Sequence, residues 1–125
     1  MVIGDKSKVA FIVGRRTSRD LRVVDIYVGN ILVTYYDHTA YVPQFVHSIE
    51  CDIDDLVGKK IDHSDRFMDW GPTTDDSYVK GVVEGANITL ICRLVSGEFV
   101  IVEMPTQQLI ETYQSVAKEL RALHA

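Results

Sequence analysis

The sequence predicts an α+β fold: a mainly antiparallel sheet of about five or six strands with two principal helices, the C-terminal one packed on the sheet. Short runs of β-branched and aromatic residues, separated by turn residues, predict the strands. Two longer segments with apolar residues at helical spacing predict the helices. With 125 residues, of which 46% are hydrophobic, the chain is long enough for one globular domain, and we assign residues 1–125 to it.

The N-terminal part of the chain predicts three strands. Residues 8–13 form an apolar run that predicts the first strand, and a polar loop follows it up to residue 20. The segments 21–28 and 31–36 are rich in β-branched and aromatic residues, and only Gly29 and Asn30 separate them. Because these two residues can adopt the positive φ angles of a two-residue turn, the segments are predicted to form a β-hairpin.

Residues 43–58 change to a helical period, with Pro43 near the first turn and Gly58 after the last. The opposite face of this predicted helix carries several acids close to its C-terminal end. The helix dipole disfavours negative charge there, by roughly 0.3 to 1 kcal/mol for each exposed carboxylate. Because a local rule broken without evident compensation is typical of functional regions, this face is a candidate site.

The segment 59–77 has neither helical nor strand periodicity and is predicted to be a long exposed loop. Strands are predicted over 78–83, 86–95 and 98–103, with the central one covered on both faces. The final segment, 106–124, repeats apolar residues at helical spacing and predicts the second helix, with the threonine at its start as the N-cap.

Cys51 and Cys92 are predicted to be free, buried thiols, as is usual in a reducing compartment. No apolar run approaches the roughly 18 residues of a membrane span, and residues 1–8 are polar where a secretory signal is apolar. We therefore expect a cytoplasmic protein without a membrane partner.

The negative charge of the chain is concentrated in one stretch. Between Glu50 and Asp76 nine acids face three bases, which gives a charge of −6, whereas the remaining nine acids and ten bases give +1. A local negative patch attracts a cationic protein and repels nucleic acid. We therefore expect a basic protein partner and no nucleic-acid partner.

The predicted contact surface combines these acids with one aromatic side chain. The acids steer the partner, and the indole anchors it, because interfaces use aromatic side chains for affinity and charge for fast association. In the alternative interpretation, Phe67 and Trp70 pack beneath the loop as a small additional core. The predicted contact residues are Glu50, Asp52, Asp54, Asp55, Asp62, Asp65, Asp69, Trp70, Asp75 and Asp76.

No pattern in the chain matches a catalytic or metal-binding motif. A nucleophile elbow, a phosphate-binding loop and a dinucleotide glycine pattern are all absent. The run 52–65 superficially resembles a calcium loop, but Val57 and His63 occupy positions that require glycine and glutamate. His47 and Cys51 lie four residues apart, whereas structural zinc needs four ligands and catalytic zinc three. We expect no catalytic residue, no metal and no cofactor.

Other classes of function stay open. A small hydrolase or isomerase would need a pocket of convergent polar groups, around His38, His47 or His63. A regulatory or assembly subunit would show a large apolar patch or a symmetric dimer interface. The arginines of residues 15–22 could contact phosphate, but the pI near 5.2 favours a solvated loop or an intramolecular contact with the acidic segment.

The first residues of the chain carry a family resemblance. They are Met1, Val2, Ile3, Gly4, Asp5 and Lys6, followed by Lys8, Ala10 and Phe11. Together with the strand pair and the terminal amphipathic helix, this opening resembles small immunity proteins of bacterial polymorphic toxin and contact-dependent growth inhibition systems. The resemblance implies a cytoplasmic, non-enzymatic protein that binds and neutralises the toxic domain of a cognate effector, often a nuclease and often basic.

Overall fold

The computed structural model describes residues 1–34, 37–58, 68 and 77–124. Over these residues the chain forms eight strands and two helices. The strands are β1 (Val2–Gly4), β2 (Val9–Arg16), β3 (Leu21–Val28), β4 (Ile31–Leu32), β5 (Thr39–Tyr41), β6 (Ser77–Glu84), β7 (Asn87–Leu94) and β8 (Phe99–Pro105). The helices are α1 (Val42–Val57) and α2 (Thr106–Leu123). The predicted α+β class, with its antiparallel pairing and its two helices, is confirmed.

The strands are divided between two antiparallel sheets. The five-stranded sheet has the order β1-β2-β3-β4, and β5 pairs with the N-terminal half of β3. The three-stranded sheet has the order β6-β7-β8. The sequence predicts one sheet, whereas the structure has two. Within the described residues, β6 pairs with β7 and β7 pairs with β8, and these three strands form the second sheet.

The hairpin predicted around Gly29 and Asn30 is confirmed. Val28 pairs with Ile31, and the two turn residues have φ angles of 56° and 67°. Positive φ at both central residues is the geometry of a type I′ turn, which matches the twist of the flanking strands.

The second strand of this hairpin is shorter than the sequence predicts. Beyond β4, the Ile26 amide donates to the Thr34 hydroxyl at 3.1 Å, and this hydroxyl donates to the Asp25 carboxylate at 3.1 Å. The threonine side chain thus takes the place of a backbone acceptor and ends the regular ladder. Residues 35 and 36, which the prediction included, lie outside the described residues.

Two strands of the larger sheet escape the sequence-based prediction. β1 and β5 contain three residues each, which is too short for alternation to be recognised. In addition, β2 continues into the predicted loop as far as Arg16, which pairs with Arg22 after a register shift beyond Val13. The interpretation of residues 14–16 as loop is therefore wrong.

Both helices lie close to their predicted bounds. α1 has proline in its first turn and Gly58 as its C-cap, as predicted. α2 begins at Thr106, but Pro105 is the N-cap and no side chain caps the helix. The predicted capping by Thr106 is wrong, because its hydroxyl is buried within the described structure without a hydrogen-bond partner. Neither described helix combines the length and the hydropathy of a membrane-spanning segment.

The hydrophobic core lies between the inner faces of the two sheets and the two helices. Near its centre the ring of Phe11 meets the ring of Phe45 edge-on at 6.4 Å between centroids and the ring of Tyr113 at 6.1 Å. α2 contacts strands of both sheets as well as α1, so the predicted packing of the C-terminal helix on the sheet is confirmed. Of the predicted loop 59–77, the structure describes Met68, which is buried in this core, and Ser77, which begins β6.

The hairpin turn of the larger sheet also touches the smaller sheet. A Cβ atom added to Gly29 would lie 2.5 Å from a methyl group of Val100 and 2.9 Å from one of Val102. Glycine is therefore required here both for its positive φ angle and for the close approach of β8.

Candidate functional site

The acidic contact surface predicted from the sequence lies partly on α1. Glu50, Asp52, Asp54 and Asp55 all belong to this helix. The other six predicted contact residues lie outside the described residues; they are Asp62, Asp65, Asp69, Trp70, Asp75 and Asp76. The alternative packing of Trp70 and Phe67 beneath the loop also lies outside them.

The four carboxylates of α1 do not form one compact array. Successive residues of a helix are about 100° apart, so Glu50 and Asp54 lie one turn apart along one edge of the exposed face. That edge is the one next to α2, because both residues line a cavity shared with α2. Asp52 and Asp55 lie toward the other edge. Asp54 is exposed, and the other three are half-buried.

Basic residues of α2 face the Glu50 edge. Glu50 forms an ion pair with Arg121, and a cavity of about 350 Å³ next to it is lined by Asp54 from α1 and Lys118 from α2. α1 has no basic residue in its own last turn. The acids that break the dipole rule are therefore partly compensated, but by the neighbouring helix.

Asp52 lies close to a buried hydroxyl of the core. Burial is the main cause that raises the pKa of Tyr113 well above its ordinary value, and the negative charge of Asp52 raises it further. Because this carboxylate is half-buried and within electrostatic reach of Tyr113, it is less suited than Asp54 to meet a partner.

A larger cavity, of about 460 Å³, opens between the N-terminal half of α1 and the C-terminal end of α2. Its apolar walls come from both helices, and its polar lining comes from Asp20, His47, Glu50, Arg121 and His124. This is the pocket that comes nearest to the histidine and carboxylate pocket of the enzyme alternative. It contains His47 but not His38, and His63 lies outside the described residues.

Among the residues that line this cavity, His124 forms a contact that the sequence does not predict. The Arg22 Nε–H donates to its Nε2 at 2.8 Å, so this ring nitrogen acts as the acceptor. Burial is the main cause that lowers the pKa of His124, and the positive charges of Arg22 and Arg16 lower it further. Burial and the two positive charges therefore disfavour the protonated imidazole. Because 102 residues separate these partners, no local pattern could indicate the contact.

The other two described histidines, His38 and His47, have neighbouring side chains. His38 lies 3.5 Å from the Asp25 carboxylate through its Nδ1 and remains exposed. His47 Nε2 lies 3.7 Å from the Sγ atom of Cys51. No group of three His, Cys, Asp or Glu side chains that could hold a metal ion is present within residues 1–34, 37–58, 68 and 77–124.

Both thiols are free, as predicted, although only one of them is buried. Cys51 is exposed on α1, contrary to the expected burial, because the position faces away from the core. Cys92 is buried in β7. Burial raises the pKa of the Cys92 thiol to about 11.

Two arginines of the cluster bind the protein's own backbone. Arg16 donates to the carbonyls of Ser18 and Arg19, and Arg22 donates to the Gly14 carbonyl at 2.7 Å. These bonds hold the connection between β2 and β3. Most of the acidic segment, with which the sequence analysis expected a contact, lies outside the described residues.

The outer face of the three-stranded sheet is a second candidate surface. The sequence-based prediction that its central strand is covered on both faces is wrong, because Asn87 and Arg93 of β7 are exposed. Tyr78, Phe99 and Ile101 are 43%, 51% and 59% exposed. The register places Tyr78 opposite Arg93, and Arg93 opposite Phe99, in one row across the three strands. The available signal was the alternation along residues 78–84 and 99–105, which puts these large side chains on the face opposite to the core.

No protein-family model matches this chain, and no curated protein matches it. The crystal structure of CdiI from Burkholderia dolosa AUO158 matches it with a TM-score of 0.69, over 95% of this chain and 99% of that chain, at 12% sequence identity. CdiI is an immunity protein of a contact-dependent growth inhibition system. The resemblance seen in the N-terminal sequence is thus met by a structural likeness, and the chain has the fold of a CdiI immunity protein.

Proposed function

We propose that this protein is an immunity protein that binds and neutralises the toxin domain of a cognate contact-dependent growth inhibition effector. The observation that carries the proposal is the fold shared with CdiI over nearly the full length of both chains. The N-terminal sequence resemblance supports it. Inhibition takes place in the cytoplasm by stoichiometric binding, with no cofactor and no turnover.

The contacts made by the polar side chains of the 460 Å³ cavity support a binding protein rather than an enzyme. Glu50 is engaged by Arg121, and His124 Nε2 is engaged by Arg22. A general base needs a lone pair directed at a substrate proton. His124 directs its Nε2 lone pair, and Glu50 directs one carboxylate oxygen, at arginines of the same protein, which favours a structural role for both.

The proposed contact surface is the acidic set predicted from the sequence. Glu50 is paired, and Asp52 lies beside Tyr113, so among the described members steering falls to Asp54 and Asp55. Neutralisation inside a cell requires affinity of nanomolar order, about 12 kcal/mol, which carboxylates alone do not supply. Trp70 is the proposed apolar anchor.

The function is tested with the toxin domain of the effector encoded immediately upstream. Expression of that domain alone is expected to arrest growth, and co-expression of this protein is expected to restore it. The two purified proteins are expected to form a complex of fixed stoichiometry. Continued growth arrest together with no detectable complex would exclude the proposed function for this pair.

The surface is tested by charge reversal in the double variant Asp54→Lys and Asp55→Lys. At low ionic strength its association rate with the toxin domain is expected to fall about tenfold or more, and the difference is expected to shrink as salt is added. The matched control is Glu98→Lys with Glu111→Lys, which changes the net charge equally at exposed positions outside α1. Equal association rates for the two double variants would remove α1 from the contact surface.

A further inference from the structure

The three-stranded sheet turns one face to the core and presents the other outward. The outward face, here called the outer face, consists of the even-numbered residues of β6 and the odd-numbered residues of β7 and β8. Its inward counterparts are buried along β7, at Ile88, Leu90 and Cys92. Polar residues would be expected at most outward positions of such a sheet.

Several outward positions carry large apolar side chains instead. Tyr78, Phe99 and Ile101 are each more than two-fifths exposed, at 43%, 51% and 59%, and Ile91 lies between the strands that carry them. Tyrosine, phenylalanine and arginine are the side chains enriched at protein interfaces. Single exposed apolar residues need no explanation, but neighbouring ones on one sheet face indicate an interaction surface.

Charge on the outer face is separated along the strand direction. Lys80 and Arg93 lie at the end where the aromatic rings lie, with the Lys80 Nζ 5.8 Å from the ring centroid of Tyr78 and the Arg93 guanidinium 6.0 Å from that of Phe99. Glu84 and Glu103 lie toward the opposite end. The face thus carries two positive and two negative charges at opposite ends.

We propose that the outer face pairs with the outer face of a second copy of this chain. In a two-fold arrangement with the sheets stacked face to face and their strands antiparallel, the basic end of each copy lies over the acidic end of the other. The arrangement with parallel strands would place Arg93 against its own symmetry mate. The charge separation therefore selects the antiparallel, isologous contact, and the proposal goes beyond toxin neutralisation.

The size of the outer face sets the strength of this association. Three strands about 4.8 Å apart, with seven residues of about 3.4 Å each, give an interface of roughly 700 to 1,000 Å² when both copies are counted. This is at or below the lower limit of specific interfaces, about 1,000 Å². The dimer is therefore weak and depends on protein concentration, and monomers predominate in dilute solution.

Sedimentation velocity of the full chain, from low micromolar to millimolar protein, tests the proposal. The wild-type protein is expected to shift from monomer to dimer over this range. Ile101→Glu is expected to weaken association at least tenfold, because it replaces an apolar side chain at the basic end with a carboxylate that would lie over the acidic end of the second copy. Arg93→Glu is expected to weaken it as well, and the combination of Arg93→Glu with Glu84→Arg is expected to restore it.

Val2→Glu is the matched control, since Val2 is 56% exposed on β1 and outside the outer face. It is expected to associate like the wild type, and circular dichroism checks that every variant is folded. A wild-type protein that stays monomeric at the highest concentration overturns the proposal. So does an Ile101→Glu variant that dimerises normally. Loss of toxin binding in Ile101→Glu, with a monomeric wild type, would assign the face to the toxin instead.

Discussion

The two sheets obey the same rule of alternating burial, yet their second faces differ. In the five-stranded sheet, the second face holds the fully buried Ala10 and the half-buried Tyr27, and its exposed apolar residues, Val2 and Tyr41, lie apart from each other on β1 and β5. In the three-stranded sheet, the second face leaves Phe99 and Ile101 in solvent. The comparison therefore contrasts scattered exposed apolar residues on one sheet with neighbouring ones on the other, and neighbouring exposed apolar residues are the pattern expected of an interaction surface.

Truncation of one inner and one outer side chain gives the sharpest test of this difference. Leu90→Ala, on the inner face of β7, is expected to lower the free energy of unfolding by about 2 to 5 kcal/mol, because it removes contacts and leaves a cavity. Ile101→Ala, on the adjacent strand but facing outward, is expected to lower it by about 1 kcal/mol or less. Urea denaturation of dilute protein measures both values. Similar losses for the two variants would mean that the outer face belongs to the folded core.

Thiol reactivity tests whether the inner face of the three-stranded sheet is inaccessible to solvent and reagents. The pKa of Cys92 is raised to about 11 because the thiolate would be buried. Its thiolate fraction is small below that pKa and grows about tenfold with each unit of rising pH, so near neutral pH it lies roughly 100-fold below that of an ordinary thiol. Cys51→Ser is therefore expected to react slowly with an aromatic disulfide reagent, and Cys92→Ser rapidly through the exposed Cys51. Denaturant is expected to make both react at the same rate; equal rates in the folded proteins would contradict an inaccessible inner face.

The contact between the two sheets is tested by replacing two glycines, one at the contact and one away from it, with alanine. Gly29 and Gly85 both have positive φ angles, 56° and 59°, so alanine is strained by a similar amount, about 1 kcal/mol, at either position. Only at Gly29 does the new methyl group meet Val100 and Val102, which adds about 1 to 3 kcal/mol of overpacking. Thermal unfolding of Gly29→Ala and Gly85→Ala gives the difference directly. Equal melting temperatures would show that β8 does not restrict the space at the hairpin turn.

Local sequence patterns predict most of the elements of this fold. The hairpin at Gly29 and Asn30 is predictable because the turn geometry depends on two adjacent residues. The helix α1 is predictable because its apolar residues recur at helical spacing between Pro43 and Gly58, which mark its two ends. The short strands β1 and β5 are not predictable, because three residues show no period. The division into two sheets depends on pairing between segments, which a local pattern does not contain.

The candidate site is less predictable than the fold for the same physical reason. The sequence indicates that acids cluster on α1, but not that Arg121 of α2 pairs with Glu50 or that Arg22 binds His124. Each of these contacts joins residues far apart in the chain. The exposed aromatic face is encoded in the alternation of β6 and β8, but the sequence does not show which face of these strands the core covers.

One contact at the edge of the smaller sheet affects how readily that edge can pair with another strand. β8 ends the order of the described sheet, and the Lys8 Nζ donates to the Glu103 carbonyl of this strand at 2.9 Å. The ammonium group occupies one acceptor position at this edge and places a positive charge beside it, and charged side chains at a sheet edge disfavour pairing with a foreign strand. Lys8 is therefore expected to oppose extension of the smaller sheet by another chain.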